Sequence, residues 1–162
     1  MITYLTETAE KLVLALKEKN LKISFAESCT GGLLSAVLTG ISGCSAVLSE
    51  SYVTYSENAK AKILDVDYSV IKKYSVVSEE VALQMAEGLF KTSGSDINIS
   101  VTGVAGPNSD DYNNPVGLVY IGICTKNGVR ASKFSFSGTR EKIRLSACNE
   151  AYKMALSDAE QL

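Results

Sequence analysis

The chain has 162 residues, of which 46% are hydrophobic and 21% charged, so it has the composition of an ordinary globular protein with a single core. Its formal net charge of −2 argues against a nucleic-acid binder, because such proteins usually carry a basic excess. The sequence contains no histidine, which excludes Ser-His-Asp and Cys-His catalytic arrangements and every histidine-containing metal site. Acid–base chemistry must therefore use Lys, Tyr, Asp, Glu or an activated water.

Cellular location is indicated by the cysteines and by the apolar runs. The first residues lack the basic and apolar regions of a secretory signal peptide, and no apolar run approaches the roughly 20 residues of a membrane helix. The four cysteines form neither a C-x-x-C pair nor a dense framework. We therefore expect a cytoplasmic protein with reduced thiols and with no membrane or nucleic-acid partner.

Hydrophobic periodicity predicts helices and strands that alternate along the chain. The predicted helices span residues 6–19, 33–39, 57–64, 67–73, 79–91 and 139–156, and the predicted strands span 21–26, 45–55, 96–102, 117–124 and 129–136. An Asn-Gly turn at Asn127 joins the last two strands, which makes at least one strand pair antiparallel. The pattern predicts one α/β domain over residues 1–162, a three-layer α/β/α arrangement with a mixed sheet.

The turn from Ser28 to Gly32, between the first strand and the second helix, is the leading candidate for a functional site. Its two glycines let the backbone approach a ligand, and the helix that follows offers free N–H groups and a partial positive charge. The turn could hold a nucleophile, an anion or both, and the simpler alternative is a βα connection with hydroxyl N-caps. Cys29 has no histidine to activate it, so we expect it to pack beneath the turn.

A nucleophilic Ser28 would need a base, and without histidine a lysine is the leading choice. Lys60 is placed near the start of a helix whose predicted N-cap is Ser56, where the helix dipole and burial would both lower the pKa of its ammonium group. The simpler alternative is a solvated surface lysine, and Lys62 is a nearby competitor. Tyr55 could donate a proton or orient a substrate, although a half-buried strand tyrosine is the commoner case.

Two further segments could complete a site at the same sheet edge. Gly103-Val-Ala-Gly-Pro follows a strand that ends at Thr102 and could aim backbone N–H groups at a ligand. Arg140 stands at the start of the last helix, where a guanidinium suits a phosphate or a carboxylate. The simpler alternatives are a loop turn and a surface cation beside Glu141. The polar segment 108–115 is predicted to be a mobile surface loop.

Together these motifs resemble the C-terminal domain family of the competence/damage-inducible protein CinA, whose stand-alone members are nicotinamide-nucleotide amidases. The motifs keep the family order between residues 21 and 140. They are Ala26-Glu-Ser-Cys-Thr-Gly-Gly, Val53-Thr-Tyr-Ser followed by Ala59-Lys60, Val77-Ser-Glu, Thr102-Gly-Val-Ala-Gly-Pro, Pro115-Val-Gly and Phe136-Ser-Gly-x-Arg140.

The resemblance implies a homo-oligomeric amidohydrolase of the α/β/α fold that needs no metal or organic cofactor. Its substrate would be the small molecule nicotinamide mononucleotide, deamidated to nicotinate mononucleotide and ammonia. The resemblance implies Ser28 as nucleophile, Lys60 as its base and Tyr55 as an assisting group. The positions implied to bind substrate are Glu27, Thr30, Gly31, Gly32, Thr102, Gly103, Gly106 and Arg140. Backbone N–H groups of the turn from Thr30 to Gly32 are the expected oxyanion donors.

One loop departs from the family pattern. After Pro107 the family sequence is usually rich in glycine, whereas this chain has Asn108-Ser-Asp-Asp-Tyr112, and Asn114 stands where the family often has lysine. These departures support an alternative, a catalytically impaired nucleotide-binding or regulatory module. An amidase acting on another small amide is a further alternative. We expect none of the activities of the larger N-terminal domain found in two-domain family members.

Overall fold

The computed structural model describes residues 2–162, with side chains from residue 5 onward. The helices are α1 (Ile2–Glu18), α2 (Leu33–Thr39), α3 (Glu57–Leu64), α4 (Tyr68–Tyr74), α5 (Glu79–Ser93) and α6 (Arg140–Gln161). The strands are β1 (Ile23–Glu27), β2 (Leu48–Val53), β3 (Ile97–Gly103), β4 (Leu118–Thr125) and β5 (Gly128–Ser135). This architecture confirms the predicted α/β class with a mixed sheet.

The sheet has five strands in the order β2-β1-β3-β4-β5. β1 pairs in parallel with both β2 and β3, whereas β3, β4 and β5 are joined by antiparallel pairing. Strand β1 is buried along its whole length and β3 along nearly all of it, as expected for strands covered on both faces. Because β2, β1 and β3 run in the same direction, the segments that follow them meet at one edge of the sheet.

Helices cover both faces of the sheet. Helices α1, α2 and α6 pack with the sheet around one large apolar cluster, and α3, α4 and α5 pack on the other face around a smaller cluster that includes Leu64, Ile71 and Met85. Tyr152 of α6 is fully buried, and its hydroxyl donates to the carbonyl of Leu34 at 2.5 Å. Among the described helices, none is both long and apolar enough to cross a membrane.

The helix starts agree closely with the sequence. The N-caps expected at Ser56 and Ser78 are confirmed, since their hydroxyls accept from the backbone N–H groups of Ala59 and Val81. Several element bounds differ from the predicted ones, including the start of α1, both ends of β2 and the end of α6. A 3-10 turn (Cys44–Ala46) occupies the start of the expected second strand, and the last helix extends to Gln161 instead of ending near residue 156.

Helix α3, which carries Lys60, is pressed closely against α5. A Cβ atom built on Gly88 of α5 would lie 1.8 Å from the carbonyl oxygen of Leu64, the last residue of α3. A side chain at this position cannot be accommodated by rotation alone, because the obstructing atom belongs to the backbone. The absence of a side chain at Gly88 therefore lets α5 pack directly against α3, the helix that carries Lys60.

Replacing Gly88 with alanine is expected to destabilise the protein by about 2 kcal/mol or more, because α3 and α5 must separate to relieve the overlap. Urea unfolding followed by circular dichroism measures the change. Glu87→Ala, at an exposed position on the same helix, is the matched control and should change the free energy of unfolding by less than about 0.5 kcal/mol. Equal unfolding midpoints for G88A and wild type would contradict the close packing.

Candidate active site

Ser28 and Lys60 form a direct side-chain contact at the edge of the sheet. Ser28 follows β1, and its backbone N–H donates to the carbonyl of Val101 on β3 at 3.0 Å. The Nζ atom of Lys60 lies 2.9 Å from the Ser28 hydroxyl and 2.7 Å from the carbonyl oxygen of Thr54. The Lys60 side chain is fully buried, and Ser28 is 9% exposed. A hydroxyl and an amine are thus held within hydrogen-bond distance in a sheltered position.

Burial lowers the pKa of Lys60 to about 8, and the charges of Cys29 and Glu57 oppose this shift. Within the described part of the chain, no carboxylate lies within ion-pairing distance of the Lys60 amine. A lysine with this pKa is neutral in a useful fraction of molecules near neutral pH, so it can accept a proton. The interpretation of Lys60 as a solvated surface lysine is therefore wrong.

The position of Lys60 follows from the local sequence of α3. The Ser56 cap starts the helix, and the buried residues Lys60 and Leu64 are four apart, on one face of the helix. Lys62 is exposed, two residues further along the chain. Only Lys60 of these two lysines can reach the Ser28 turn.

Ser28 and Lys60 line a cleft of about 220 Å³, referred to below as the cleft. Its lining includes Ser28, Cys29, Tyr55, Lys60, Val76, Val77, Thr102, Gly103, Val104, Ala105, Gly106, Asn108, Asp110 and Arg140. The structure therefore brings together segments that follow β1, β2 and β3, as the parallel pairing requires. Arg140 joins them from the start of α6.

The turn after β3 forms one wall of the cleft by close packing. A Cβ atom on Gly103 would lie 2.6 Å from Val119, and one on Gly106 would lie 2.6 Å from Val116. Glycine is therefore needed at both positions for the turn to lie against the neighbouring chain. The hydroxyl of Thr102 donates to the carbonyl of Val76 at 2.9 Å, so this side chain ties the wall to the segment before α5.

Arg140 presents a guanidinium to the cleft without an acidic partner. Its two terminal nitrogens donate to the carbonyl of Gly106 at 2.5 Å and to the Tyr55 hydroxyl at 3.4 Å. No carboxylate of the described residues pairs with it. Tyr55 lies beyond the end of β2 at Val53 and is 60% exposed, so the simpler alternative of a half-buried strand tyrosine is wrong.

Glu27 lies behind the turn and is not among the residues that line the cleft. Its fully buried carboxylate accepts from the backbone N–H groups of Gly32, Leu34 and Ser35 at 2.9 to 3.1 Å. This side chain therefore satisfies the start of α2, a role that acidic residues favour at helix N-termini. Because Glu27 already occupies the start of α2, the interpretation of this helix start as an anion site for a ligand is wrong. The interpretation of Glu27 as a group that binds substrate is wrong for the same reason.

The glycine N–H groups of the same turn already have acceptors. Gly31 donates to the carbonyl of Ser28 at 3.0 Å, and Gly32 donates to Glu27. The expectation that these two groups stabilise an oxyanion is therefore wrong. Thr30 is fully buried outside the cleft lining, so Ser28 is the hydroxyl that faces the cleft. The backbone N–H groups of Cys29 and Thr30 donate to no backbone carbonyl within the described residues.

Cys29 packs in the core as expected, and burial raises the pKa of its thiol to about 11. A functional candidate that the sequence reasoning missed lies beneath it. Arg144 of α6 donates through Nε to the carbonyl of Cys29 at 3.1 Å and through a terminal nitrogen to that of Thr30 at 2.7 Å. Its spacing of four residues from Arg140, one helical turn away, is the signal that could have pointed to it.

The loop that departs from the family pattern lies at the surface and contributes to the cleft wall. The carboxylate of Asp110 accepts from the backbone N–H groups of Tyr112 and Asn114. The Tyr112 hydroxyl donates to Glu57 of α3 at 2.9 Å, and the Asn114 amide donates to the Ser75 hydroxyl at 2.7 Å. Hydrogen bonds made by the residues of this loop therefore link it to both α3 and the end of α4.

No group of three or more Cys, Asp or Glu side chains suited to a metal ion occurs in the part of the chain that the structure describes. The groups that line the cleft include the Ser28 hydroxyl, the Lys60 amine with its lowered pKa and the Arg140 guanidinium. Such a set is suited to nucleophilic attack on a carbonyl carbon.

The lowered pKa of Lys60 predicts how the free energy of unfolding depends on pH, which can be measured without substrate. Its pKa is 10.5 in the absence of the fold and about 8 in the folded protein, so between these values the unfolded chain binds a proton that the folded chain does not. Stability from this group therefore rises with pH. Relative to Lys60→Met, the free energy of unfolding of the wild type should rise by about 2 kcal/mol from pH 7 to pH 10.

Denaturant unfolding of both proteins across this pH range measures the difference. Lys62→Met removes an exposed lysine from the same helix, and its stability should parallel that of the wild type at every pH. If the curve for K60M is also parallel to the wild-type curve, the pKa of Lys60 is not lowered by folding.

Comparison with known proteins places the chain in a family. The model of the CinA C-terminal domain matches residues 5–158. A competence-damage inducible protein of Caldicellulosiruptor saccharolyticus is 48% identical over 146 residues, which are 90% of this chain and 36% of that protein. One of Alkaliphilus metalliredigens is 46% identical over 143 residues, or 88% of this chain and 34% of that protein. The chain thus spans about a third of the length of these relatives.

Solved structures agree with the sequence comparison. The competence/damage inducible protein CihA of Agrobacterium tumefaciens has a TM-score of 0.91 and 35% identity, covering 95% of this chain and 94% of that one. A CinA superfamily protein of Klebsiella pneumoniae has a TM-score of 0.93 and 27% identity, covering 98% of this chain and 99% of that one. The match of the family model over nearly the whole chain shows that this protein belongs to the CinA C-terminal domain family.

Proposed function

We propose that the protein hydrolyses the carboxamide of nicotinamide mononucleotide to nicotinate mononucleotide and ammonia. The observation that carries this proposal is the 2.9 Å contact between the buried Lys60 amine and the Ser28 hydroxyl at the cleft. The lowered pKa of Lys60 supports its use as a base, since a protonated amine could not accept the serine proton.

In the first half of the proposed reaction, neutral Lys60 takes the proton of Ser28 while the serine oxygen attacks the amide carbon. The carbonyl oxygen becomes an oxyanion. When it re-forms the carbonyl, the carbon–nitrogen bond breaks, and the leaving nitrogen takes the proton from Lys60 to depart as ammonia. An ester between Ser28 and the nicotinoyl group remains. Tyr55, at the rim of the cleft, would assist by orienting the substrate.

In the second half, water attacks the ester carbon and gives a proton to Lys60. The ester bond breaks, Ser28 recovers its proton from Lys60, and the carboxylic acid product then ionises by releasing a proton to solvent. The same lysine thus moves one proton in each direction, and no other titratable group is required. The division of the reaction into two steps is the usual consequence of a covalent nucleophile.

Recognition of the nucleotide would depend on Arg140. Its guanidinium reaches the cleft from the start of α6 and has no acidic partner among the described residues. A phosphate accepts paired hydrogen bonds from a guanidinium especially well. The amide end of the substrate would then lie at Ser28 and the phosphate at the outer rim.

Ser28→Ala is expected to abolish ammonia release from nicotinamide mononucleotide, by about a thousandfold or more, because no oxygen remains to form the ester. The measurement is an ammonia assay on purified wild type and variant, accompanied by calorimetric binding of the nucleotide. Ser51→Ala, at an exposed position on β2, is the matched control and should retain full activity. Binding by S28A should persist.

Two outcomes would contradict the proposal in different ways. Near-normal turnover by S28A would exclude the covalent mechanism. Tight binding by the wild type without ammonia release would favour a nucleotide-binding module over an enzyme.

Arg140→Gln is expected to raise KM for nicotinamide mononucleotide by about tenfold or more, because charged hydrogen bonds to the phosphate are lost. Turnover of free nicotinamide, which has no phosphate, should be unchanged. Lys142→Gln removes another exposed cation on the same helix and serves as the control for general charge. An equal loss with both substrates would mean that Arg140 does not contact the phosphate.

A further inference from the structure

We propose that Asp110 selects substrates whose ring carries a positive charge, by opposing that charge from the wall of the cleft. This role rests on the proposed amide hydrolysis at Ser28, because nicotinamide mononucleotide has a quaternary pyridinium nitrogen. Asp110 is then a specificity-determining residue. Its carboxylate favours a cationic ring over a neutral ring of the same size and takes no part in the reaction.

The lining of the cleft carries charges of both signs. Arg140 contributes a guanidinium cation, and Lys60 contributes a second cation in those molecules in which its amine is protonated. Among the described residues of the lining, Asp110 is the only one with a carboxylate. Glu27 and Glu57 lie outside the lining. Asp110 is therefore the group that opposes a positive charge inside the cleft.

The proposed substrate carries two charges that match this lining. Its phosphate is negative, and its ring is positive because the ribose is attached to the ring nitrogen. Arg140 offers the phosphate paired hydrogen bonds. Without Asp110, the cationic ring would meet only Lys60 and Arg140, whose charges repel it when both are protonated.

The carboxylate of Asp110 is held by its own loop. Oδ1 accepts from the backbone N–H groups of Tyr112 and Asn114 at 3.1 and 2.8 Å, and Oδ2 accepts from the side-chain amide of Asn114 at 2.8 Å. All three donors are neutral, and no cation of the described residues forms an ion pair with Asp110. The loop therefore orients the carboxylate and leaves its negative charge unpaired.

The loop that carries Asp110 is anchored to the rest of the protein. Tyr112 donates to Glu57 of α3, and Asn114 donates to Ser75 at the end of α4. Asp110 itself is half-buried, so its charge is less screened by solvent than that of a mobile surface acid. The next residue, Asp111, is exposed and lies outside the cleft lining, which makes it a matched comparison.

Reduced nicotinamide mononucleotide is a probe that separates ring charge from the rest of the molecule. It has the carboxamide, ribose and phosphate of the oxidised nucleotide, but its dihydropyridine ring is neutral. Calorimetric binding of both nucleotides to S28A, at about pH 9 where Lys60 is mostly neutral, gives a ratio of affinities without turnover. We expect S28A to bind the oxidised form at least about fivefold more tightly, the factor of one opposite charge about 4 Å away in water.

Asp110→Asn should remove this preference. In S28A/D110N the ratio should fall to about twofold or less, because a neutral amide no longer opposes the ring charge. Asp111→Asn removes the same charge from the neighbouring residue, and S28A/D111N should keep the ratio of S28A.

A second variant separates charge from loop structure. Asp110→Asn sets two amide groups against each other, because Asn114 donates to Oδ2 of Asp110. The exchange D110N/N114D restores a hydrogen bond between these side chains at the same net charge, but the carboxylate then belongs to a residue outside the lining. In the S28A background, the exchange should give a ratio between those of S28A and S28A/D110N. Should D110N fail to fold, the exchange decides alone.

The absence of a preference in S28A, or an unchanged preference in S28A/D110N, would overturn the proposal. An equal loss of affinity for both nucleotides would also overturn it, since Asp110 would then act on the ribose or only on the loop. Full recovery of the ratio in the exchange variant would assign the effect to loop structure and not to charge, with the same consequence.

The two proposals can fail separately. If the ratio depends on Asp110 as expected but the wild type releases no ammonia, the proposed reaction is wrong and the role of Asp110 is retained. If the wild type releases ammonia and the ratio does not depend on Asp110, the reaction is retained and the role of Asp110 is wrong. Failure of S28A to bind the oxidised nucleotide would overturn the role of Asp110 whatever the ammonia assay shows.

Discussion

The arrangement of the site depends on one buried amine. Lys60 has no exposed surface, and its Nζ is surrounded by the Ser28 hydroxyl and the carbonyl oxygens of Thr54 and Tyr55. These three oxygens hold the amine in place, but none of them carries the negative charge that would keep it protonated. The fold thus maintains a lysine whose pKa lies near 8, and it does so at some expense to stability below that pH.

The sheet brings Ser28 and Lys60 together, whereas α6 supplies the cations. Because β1 and β2 are parallel neighbours, Ser28 after β1 and the Thr54 carbonyl after β2 lie at the same edge. The positive start of α2 is occupied by the chain's own carboxylate, Glu27. Arg140 and Arg144 lie one helical turn apart on α6. Arg140 faces the cleft, and Arg144 faces the backbone beneath it.

The sequence was most informative where the governing interactions are local. The absence of histidine and the capped helix before Lys60 identified the serine–lysine pair, since an N-cap and the side-chain spacing along a helix are set by neighbouring residues. The partners of backbone N–H groups in the Ser28 turn could not be predicted in the same way. Gly31 and Gly32 matched an oxyanion turn, but only the folded chain shows that Ser28 and Glu27 already accept from them. The contact of Arg144 with this turn depends on the packing of α6 against it, 114 residues away along the chain.

The loop that departs from the family pattern contacts the helix that carries Lys60. Tyr112 donates to Glu57, and the charge of Glu57 opposes the lowering of the Lys60 pKa by burial. The Tyr112 hydroxyl and the Lys60 amine both interact with the negative charge of Glu57. The loop is therefore linked to the protonation of Lys60 through α3. Neither Ser28 nor Lys60 is altered by the departure, and both keep their mutual contact. The loop therefore contributes to the cleft wall and to the surroundings of Lys60, and the contact between Ser28 and Lys60 is kept.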